Sequence, residues 1–220
     1  MDRTWNNQAY QVPVGNDITL EGNLNIPEYP RGVVLFAHGS GSSRHSPRNQ
    51  FVAQVLHKAG FATLLIDLLT AGEEEQDWQT GHLRFNIDLL SQRVEGATNW
   101  LTVNPATANL KVGYFGASTG AAAALVAAAK HPFAVGAVVS RGGRPDLAGS
   151  FLTSVQAPTL LIVGSKDTQV IELNRRALSL LKGEKQLEII PGATHLFEEP
   201  GALEQVAQLA SQWFTRYLAS

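Results

Sequence analysis

Six short, mostly apolar runs recur along the chain, and this recurrence constrains the fold more than any other feature of the sequence. The runs span residues 33–37, 61–66, 112–115, 134–139, 159–163 and 187–190. Continuous rather than alternating apolar residues are typical of strands that are covered on both faces, as strands are in parallel sheets. Helical patterns lie among these runs, at about residues 48–59, 83–101, 119–130, 170–181 and 203–218.

The N-terminal part of the chain has a different pattern. Residues 9–14 and 18–26 resemble strands, and residues 15–17 form a turn between them. In the second strand, Ile18, Leu20, Gly22, Leu24 and Ile26 alternate with polar residues, which predicts a half-buried antiparallel strand. We therefore predict an α/β fold: a three-layer α/β/α sandwich whose sheet is mostly parallel, with antiparallel N-terminal strands.

The length and composition of the chain argue against several classes of protein. We expect its 220 residues to form one domain, 1–220, because no linker or repeat divides them and residues 140–157 are too few for a large cap domain. A net charge of −2 argues against a nucleic-acid partner. The absence of cysteine excludes disulfides, thiolate metal sites and a cysteine nucleophile. Lacking an apolar leader or a membrane-length apolar run, the chain is expected to be cytoplasmic, with no membrane partner.

The segment Gly116-Ala117-Ser118-Thr119-Gly120 is the strongest chemical signal. It is a G-x-S-x-G sequence between a predicted buried strand and an alanine-rich helix, which is the context of a nucleophile elbow. The tight turn would hold the Ser118 hydroxyl exposed at its tip. The alternative is that Ser118 caps the helix at an ordinary turn.

A serine nucleophile needs a base and an acid that orients the base. His195 lies in a loop after the last predicted strand, and Asp167 follows the 159–163 strand. Loops at the carboxyl ends of parallel strands share one crevice, so both side chains are expected to reach Ser118. Asp146 is the rival acid, and Asp67 is expected to brace a loop. The other five histidines lie near helix ends or in loops, and His38 is expected to brace its loop.

The order serine, aspartate, histidine is that of the α/β-hydrolases. The chain resembles the dienelactone-hydrolase-like branch of that superfamily over nearly its whole length. The matching segments are HGSGSSRHSPRN at 38–49, GASTG at 116–120, GSKD at 164–167 and GATHLF at 192–197. Dienelactone hydrolases proper use a cysteine nucleophile, whereas this chain has Ser118, so a general esterase is the expected activity.

An acyl-transfer site also needs donors for the developing oxyanion. The N–H of Thr119, which follows the nucleophile, is expected to be one donor. The second should come from the loop after residues 33–37, and the resemblance implies the N–H of Ser40. The alternative for this loop is a simple Gly-Ser turn.

Cationic side chains cluster in two loops that should border the site. They are Arg44, His45, Arg48, Arg141 and Arg144. We expect arginines of this cluster to bind a carboxylate or phosphate on the substrate, with Arg141 and Arg144 as the first candidates. The alternative is that they are solvated or pair with the acidic run at residues 73–77, which is expected to lie in a loop.

The sequence thus predicts a serine hydrolase of small carboxylic esters, thioesters or lactones, acting on a small-molecule substrate through an acyl-enzyme. An acyltransferase, a cofactor-free haloperoxidase-type activity on the same triad, and a non-catalytic ligand-binding homologue are the alternatives. No motif for a phosphate, a dinucleotide or a metal is present, so we predict that no cofactor and no metal is needed. The sequence does not indicate the oligomeric state.

Overall fold

A computed structural model describes residues 5, 8–15 and 17–219, and in them eight strands form one sheet. In chain order, β1–β8 are Ala9–Gly15, Ile18–Asn25, Val33–Ala37, Ala62–Ile66, Val112–Ala117, Val135–Arg141, Thr159–Gly164 and Lys185–Ile190. The strand order is β1-β2-β4-β3-β5-β6-β7-β8. The β1–β2 and β2–β4 pairs are antiparallel, and every pair from β4 to β8 in this order is parallel. The predicted fold class is confirmed.

Six α-helices flank the sheet within the described part of the chain. They are α1 at Pro47–Lys58, α2 at Ala71–Thr80, α3 at Ile87–Val103, α4 at Thr119–Lys130, α5 at Thr168–Leu180 and α6 at Ala202–Leu218. Two 3-10 helices are also present, Leu83–Phe85 between α2 and α3 and Pro145–Ser154 between β6 and β7. Helices α3, α4 and α5 contribute to the core on one face, and α1 and α6 to the core on the other. None of the helices described is long and apolar enough to cross a membrane.

The continuous apolar runs follow from this layering. In β3, Val33 and Leu35 enter the core under α3 and α4, while Val34 and Phe36 enter the core under α1 and α6. Both faces of the strand are therefore dry, and all five of its residues are buried. A polar residue on either face would lose its hydration, which is why the run shows no alternation.

The second strand departs from the half-buried pattern that its sequence predicts. Asn23 and Asn25 lie on the side expected to face water, yet they are 6% and 3% exposed. The reason is position: β2 pairs with β1 on one side and β4 on the other, so its second half is covered like an interior strand. In the predicted turn before β2, Gly15 and Asp17 both have positive φ, and Asn16 lies outside the described residues.

The acidic run at residues 73–77 is helical, and its prediction as a loop is wrong. It forms most of α2, which begins with a capping box. The Thr70 hydroxyl accepts the N–H of Glu73 at 3.2 Å, and the Glu73 carboxylate accepts the N–H of Thr70 at 2.8 Å. These bonds satisfy two N–H groups of the first turn, and the carboxylates near it complement the helix dipole.

The stretch 83–101, predicted as one helix, is divided. It starts as the 3-10 helix Leu83–Phe85 and becomes α3 only at Ile87. Asn86 separates the two and caps α3, because its side chain accepts the N–H of Leu89 at 3.1 Å. Asparagine competes with the helical backbone for hydrogen bonds, which favours a helix start at this position over its interior.

Candidate active site

Ser118 stands at a sharp turn between β5 and α4. Its φ is 50° and its ψ is −120°, a conformation that non-glycine residues rarely adopt. The glycines two positions before and after it permit the turn. A β-carbon on Gly116 would collide with the backbone of Ala121, and one on Gly120 would collide with the carbonyl oxygens of Ala37 and His38. The strain and the tight packing are those of a nucleophile elbow.

The backbone of Ser118 is held by the turn after β6. Its N–H donates to the carbonyl of Arg141 at 3.3 Å, and its carbonyl accepts the N–H of Arg144 at 3.0 Å. On the other side, a β-carbon on Gly39 would lie 3.0 Å from Ser118 Cβ. The loop after β3 therefore packs directly against the elbow, and glycine at position 39 makes that approach possible.

Asp167 and His195 meet at the carboxyl end of the sheet. Asp167 follows β7, His195 follows β8, and Asp167 Oδ2 lies 2.6 Å from His195 Nδ1. The imidazole is 40% exposed, whereas the carboxylate is 17% exposed. A β-carbon on Gly142 would lie 3.5 Å from His195 Cε1. The histidine therefore sits on the same turn, after β6, that holds the backbone of Ser118.

The other two aspartates considered from the sequence have different partners. Asp146 accepts a bidentate pair of hydrogen bonds from Arg144, at 2.9 and 2.7 Å. Asp67 pairs with the Arg44 guanidinium and accepts the Arg44 N–H at 2.7 Å. Both are thus engaged in bracing loops, and Asp167 is the aspartate that contacts His195.

His38 fastens the loop after β3 to the loop after β4. Its Nδ1 lies 2.9 Å from the carbonyl of Gly39, and its Nε2 lies 3.0 Å from the backbone nitrogen of Leu68. Because Nε2 must accept the Leu68 N–H, Nδ1 carries the proton and donates to Gly39. Burial lowers the pKa of His38, which keeps the ring neutral, as these two bonds require.

The two predicted oxyanion donors are neighbours. Thr119 is the first residue of α4, and the Ser40 N–H donates to Thr119 Oγ1 at 3.0 Å. The described hydrogen bonds include no acceptor for the Thr119 N–H, which belongs to the first turn of a helix and has no partner within it.

Three of the four arginines expected to bind substrate make ion pairs. Arg44 pairs with Asp67 and Glu21, Arg144 with Asp146, and Arg48 with Glu198 at 3.2 Å. The acidic run instead pairs elsewhere: Glu73 with Arg93 at 2.6 Å and Asp77 with Arg84 at 2.5 Å. The ion pairs of the described residues include none between the arginine cluster and that run, although the positive charge of Arg44 acts on Glu74.

Arg141 is the exception among these arginines. It is 7% exposed and donates from Nη2 to Asn49 Oδ1 at 3.1 Å, with its guanidinium 6.0 Å from the centre of the Phe197 ring. Burial, with a further contribution from the positive charge of Arg48, lowers the pKa of Arg141 to about 10. The side chain is therefore still charged at neutral pH.

A cavity of about 490 Å³ opens beside the elbow. Its lining consists of residues 38–43 and 45–48 together with Leu68, Leu69, Glu74, Asp77, Trp78, Arg84, Leu90 and Thr119. Helix α2 supplies one wall, with Trp78 83% exposed. The prediction of a loop there missed this wall, although Thr70 and Glu73 carry the spacing of a capping box. In residues 5, 8–15 and 17–219 no three histidine, aspartate or glutamate side chains converge as a metal site requires.

The sequence profile of the dienelactone hydrolase family matches residues 20–218. The chain belongs to the dienelactone hydrolase family. A crystal structure of a dienelactone hydrolase from Anabaena variabilis is 65% identical, with a TM-score of 0.93, and the match covers 96% of this chain and 98% of that one. The family and its fold support a hydrolase.

More distant structures share the fold. The esterase domain of a Rhodothermus marinus protein is 19% identical, with a TM-score of 0.74, and the match covers 96% of this chain and 98% of that one. Among curated proteins, a "Putative phosphoribosyl transferase" of Mycobacterium tuberculosis is 60% identical over 205 residues, 93% of this chain. Those residues are 45% of the relative, so this dienelactone hydrolase family chain spans about half the length of the curated relatives it matches.

Proposed function

We propose that this protein is a serine hydrolase of small carboxylic esters, thioesters or lactones. The observation that carries the proposal is the 2.6 Å contact between Asp167 and His195, made on the turn that also holds the strained elbow of Ser118. A nucleophile, a base and an orienting acid in this arrangement are what acyl transfer requires.

The proposed reaction begins with Ser118. Its Oγ bonds to the carbonyl carbon of the substrate as His195 removes the Oγ proton, and the carbonyl π electrons move to the oxygen. When the oxyanion collapses, the bond to the leaving group breaks, and His195 returns its proton to that group. A water molecule, deprotonated by His195, then attacks the acyl-enzyme and releases the acid with Ser118 restored.

Asp167 has a supporting role in this scheme. By accepting the Nδ1 proton, it holds the imidazole in the tautomer whose Nε2 is free to accept a proton from Ser118. It also stabilises the imidazolium that forms in each half of the reaction. The carboxylate is mostly shielded from water, which strengthens this interaction relative to one at the surface.

The cavity supports a small substrate with an anionic part. Its volume of about 490 Å³ is within the range of small-molecule sites. Of the four arginines suggested by the sequence, Arg48 lines this cavity, and its side chain is 31% exposed. We therefore propose Arg48, before Arg44, Arg141 and Arg144, as the residue that meets a carboxylate or phosphate on the substrate.

Labelling with a fluorophosphonate probe tests the nucleophile. We expect covalent modification of Ser118 in the wild-type protein, and neither labelling nor ester hydrolysis in Ser118→Ala. Ser150→Ala is the matched control, because Ser150 is exposed on the 3-10 helix Pro145–Ser154 and does not line the cavity. Labelling of Ser118→Ala at the wild-type rate would contradict the proposal, as would a wild-type protein that is not labelled.

Product analysis separates hydrolysis from acyl transfer. Both would pass through the same acyl-enzyme, so the acceptor decides between them. We expect water to be the acceptor, with the free acid as the main product even when alcohols or amines are added. We do not propose phosphoribosyl transfer for this chain. The relatives that carry that name have more than half of their length outside the match.

A further inference from the structure

The loop after β3 and the elbow are joined by a bond that bears on catalysis. The Ser40 N–H, the second expected oxyanion donor, is directed at Thr119 Oγ1, 3.0 Å away. In this state the amide already has an acceptor, and that acceptor is a side chain of the elbow itself. Thr119 is 3% exposed, yet it contributes to the wall of the cavity beside Gly39 and Ser40.

The proton of the Thr119 hydroxyl takes part in none of the hydrogen bonds found among the described residues. A hydroxyl donates one hydrogen bond and accepts through two lone pairs. Oγ1 accepts the Ser40 N–H, and the hydrogen bonds found among the described residues include none in which Oγ1 is the donor. The hydroxyl proton is thus available to an acceptor that enters the cavity next to Ser118.

We propose that the Thr119 hydroxyl is itself an oxyanion donor, with the Ser40 N–H acting through it. This inference rests on the serine hydrolase mechanism proposed above. The Ser40 amide polarises the hydroxyl by donating to it, and the hydroxyl donates to the carbonyl oxygen of the substrate as negative charge develops there. Chains of hydrogen bonds strengthen one another in this way. No proton leaves Thr119 at any step.

Thr119 then supplies both donors of the oxyanion hole. Its backbone N–H is at the first turn of α4, where it has no helical acceptor, and its hydroxyl is beside it on the same residue. Two donors on one residue are fixed relative to each other by the elbow. The role of Ser40 becomes that of a positioning residue, and its own side chain is not required for it.

A competing role for the same contact predicts the opposite result. If the Thr119 hydroxyl only occupies the Ser40 N–H until substrate displaces it, then its removal frees the amide and leaves catalysis unchanged or faster. If the hydroxyl is a donor, its removal costs catalysis about what the loss of one oxyanion donor costs, on the order of 10²–10³ in kcat.

The test compares Thr119→Val with Thr119→Ser in ester hydrolysis. Valine keeps the shape and removes the hydroxyl, whereas serine keeps the hydroxyl and removes a methyl group. We expect Thr119→Val to lower kcat about 10²-fold with little change in KM, and Thr119→Ser to stay within a few-fold of wild type. Affinity for a boronic acid that forms a tetrahedral adduct with Ser118 should fall in parallel with kcat.

Further measurements separate a role in catalysis from a role in folding. In a Ser118→Ala background, Thr119→Val should leave the dissociation constant of unreacted ester unchanged, because the hydroxyl acts on developing charge. Thermal unfolding shows whether Thr119→Val is folded. If Thr119→Val does not fold, Thr119→Ala is tested in its place. Wild-type kcat in Thr119→Val, or a higher one, overturns this inference alone. A wild-type protein that is not labelled at Ser118 overturns the proposed function as well.

Discussion

Asp167 and His195 lie 28 residues apart in the chain, yet the carboxylate and the imidazole are 2.6 Å apart. Each follows a strand of the same parallel pair, β7 and β8, whose carboxyl ends lie side by side because Gly164 is in register with Ile190. The contact is therefore a consequence of sheet pairing. Asp167 is three residues past the end of β7, and His195 is five residues past the end of β8.

Loss of the Asp167 charge should impair catalysis without unfolding the protein. The Asp167→Asn substitution would keep the size of the side chain but favour the wrong imidazole tautomer, so kcat should fall about 10⁴-fold, as in other triads. Asp146→Asn is the matched control, since Asp146 pairs with Arg144 and not with His195. Steady-state kinetics on one ester suffices. A larger loss in Asp146→Asn than in Asp167→Asn would place the acid after β6.

The elbow should not tolerate a methyl group at Gly120. A β-carbon there would meet the carbonyl oxygens of Ala37 and His38, which belong to rigid backbone. We expect Gly120→Ala to reduce the free energy of unfolding by about 1–3 kcal/mol and to reduce esterase activity, because the elbow must shift. Denaturant unfolding measures the first effect.

Gly72→Ala is the control for that substitution. Gly72 is in α2, and nothing outside its own stretch of helix lies within 4 Å of the position of an added β-carbon. Alanine favours helix over glycine, so this variant should gain up to about 1 kcal/mol. An equal change in the free energy of unfolding in the two variants would show that a methyl group at position 120 is accommodated without cost.

Glu74 should make stability depend on pH. Desolvation raises the pKa of its carboxyl, the Asp67 charge raises it further, and the Arg44 charge opposes both. The Glu74 carboxyl thus binds its proton more tightly in the folded protein than in the unfolded chain. This tighter binding stabilises the fold at low pH, and the stabilisation is lost as pH rises from the usual carboxyl range through the raised pKa. Glutamine does not titrate, so Glu74→Gln should gain thermal stability over wild type at neutral pH.

That gain should disappear on acidification. At about pH 4 the wild-type carboxyl is largely protonated in the folded protein, and the melting temperatures of Glu74→Gln and wild type should converge. Glu75→Gln is the control, because Glu75 is exposed on the same helix. A difference between Glu74→Gln and wild type that is the same at both pH values would contradict the linkage.

Arg48 should confer a preference for anionic substrates. The comparison is an ester that carries a free carboxylate against its methyl ester, in wild type and in Arg48→Ala. We expect the carboxylate form to lose about 3- to 10-fold in kcat/KM in the variant, because the arginine is partly solvated and shared with Glu198. The neutral substrate should be unaffected.

Matched arginine variants show whether this effect is local. Arg175 is exposed and pairs with Glu172 on α5, so Arg175→Ala should behave as wild type on both substrates. Arg144→Ala and Arg141→Ala test the other candidates of the cluster. A selective loss in either of them, with Arg48→Ala unchanged, would move the anion site to the turn after β6.

The sequence predicted some elements of the fold correctly and missed others. Helix α4 and strand β3 have the bounds that their sequences predict. The reason is that the alanine-rich stretch of α4 and the continuous apolar run of β3 are each typical of one kind of buried element. Helix α2 was missed, although its capping box is local, since its acidic composition resembles that of a solvated loop. The burial of Asn23 and Asn25 was not predictable from alternation, because it depends on β2 having a neighbour on each side.

By itself, the sequence determined the class of fold and predicted the candidate triad of Ser118, Asp167 and His195. The apolar runs require a sheet that is covered on both faces. The glycines around Ser118 predict a sharp turn from a strand into a helix, because larger side chains would not fit in such a turn. Only the tertiary structure decided how the polar groups pair. Arg144 binds Asp146, Arg44 binds Asp67, and the Ser40 N–H finds the Thr119 hydroxyl. The physical reason is that such bonds act over about 3 Å, so they depend on how loops distant in sequence are packed together.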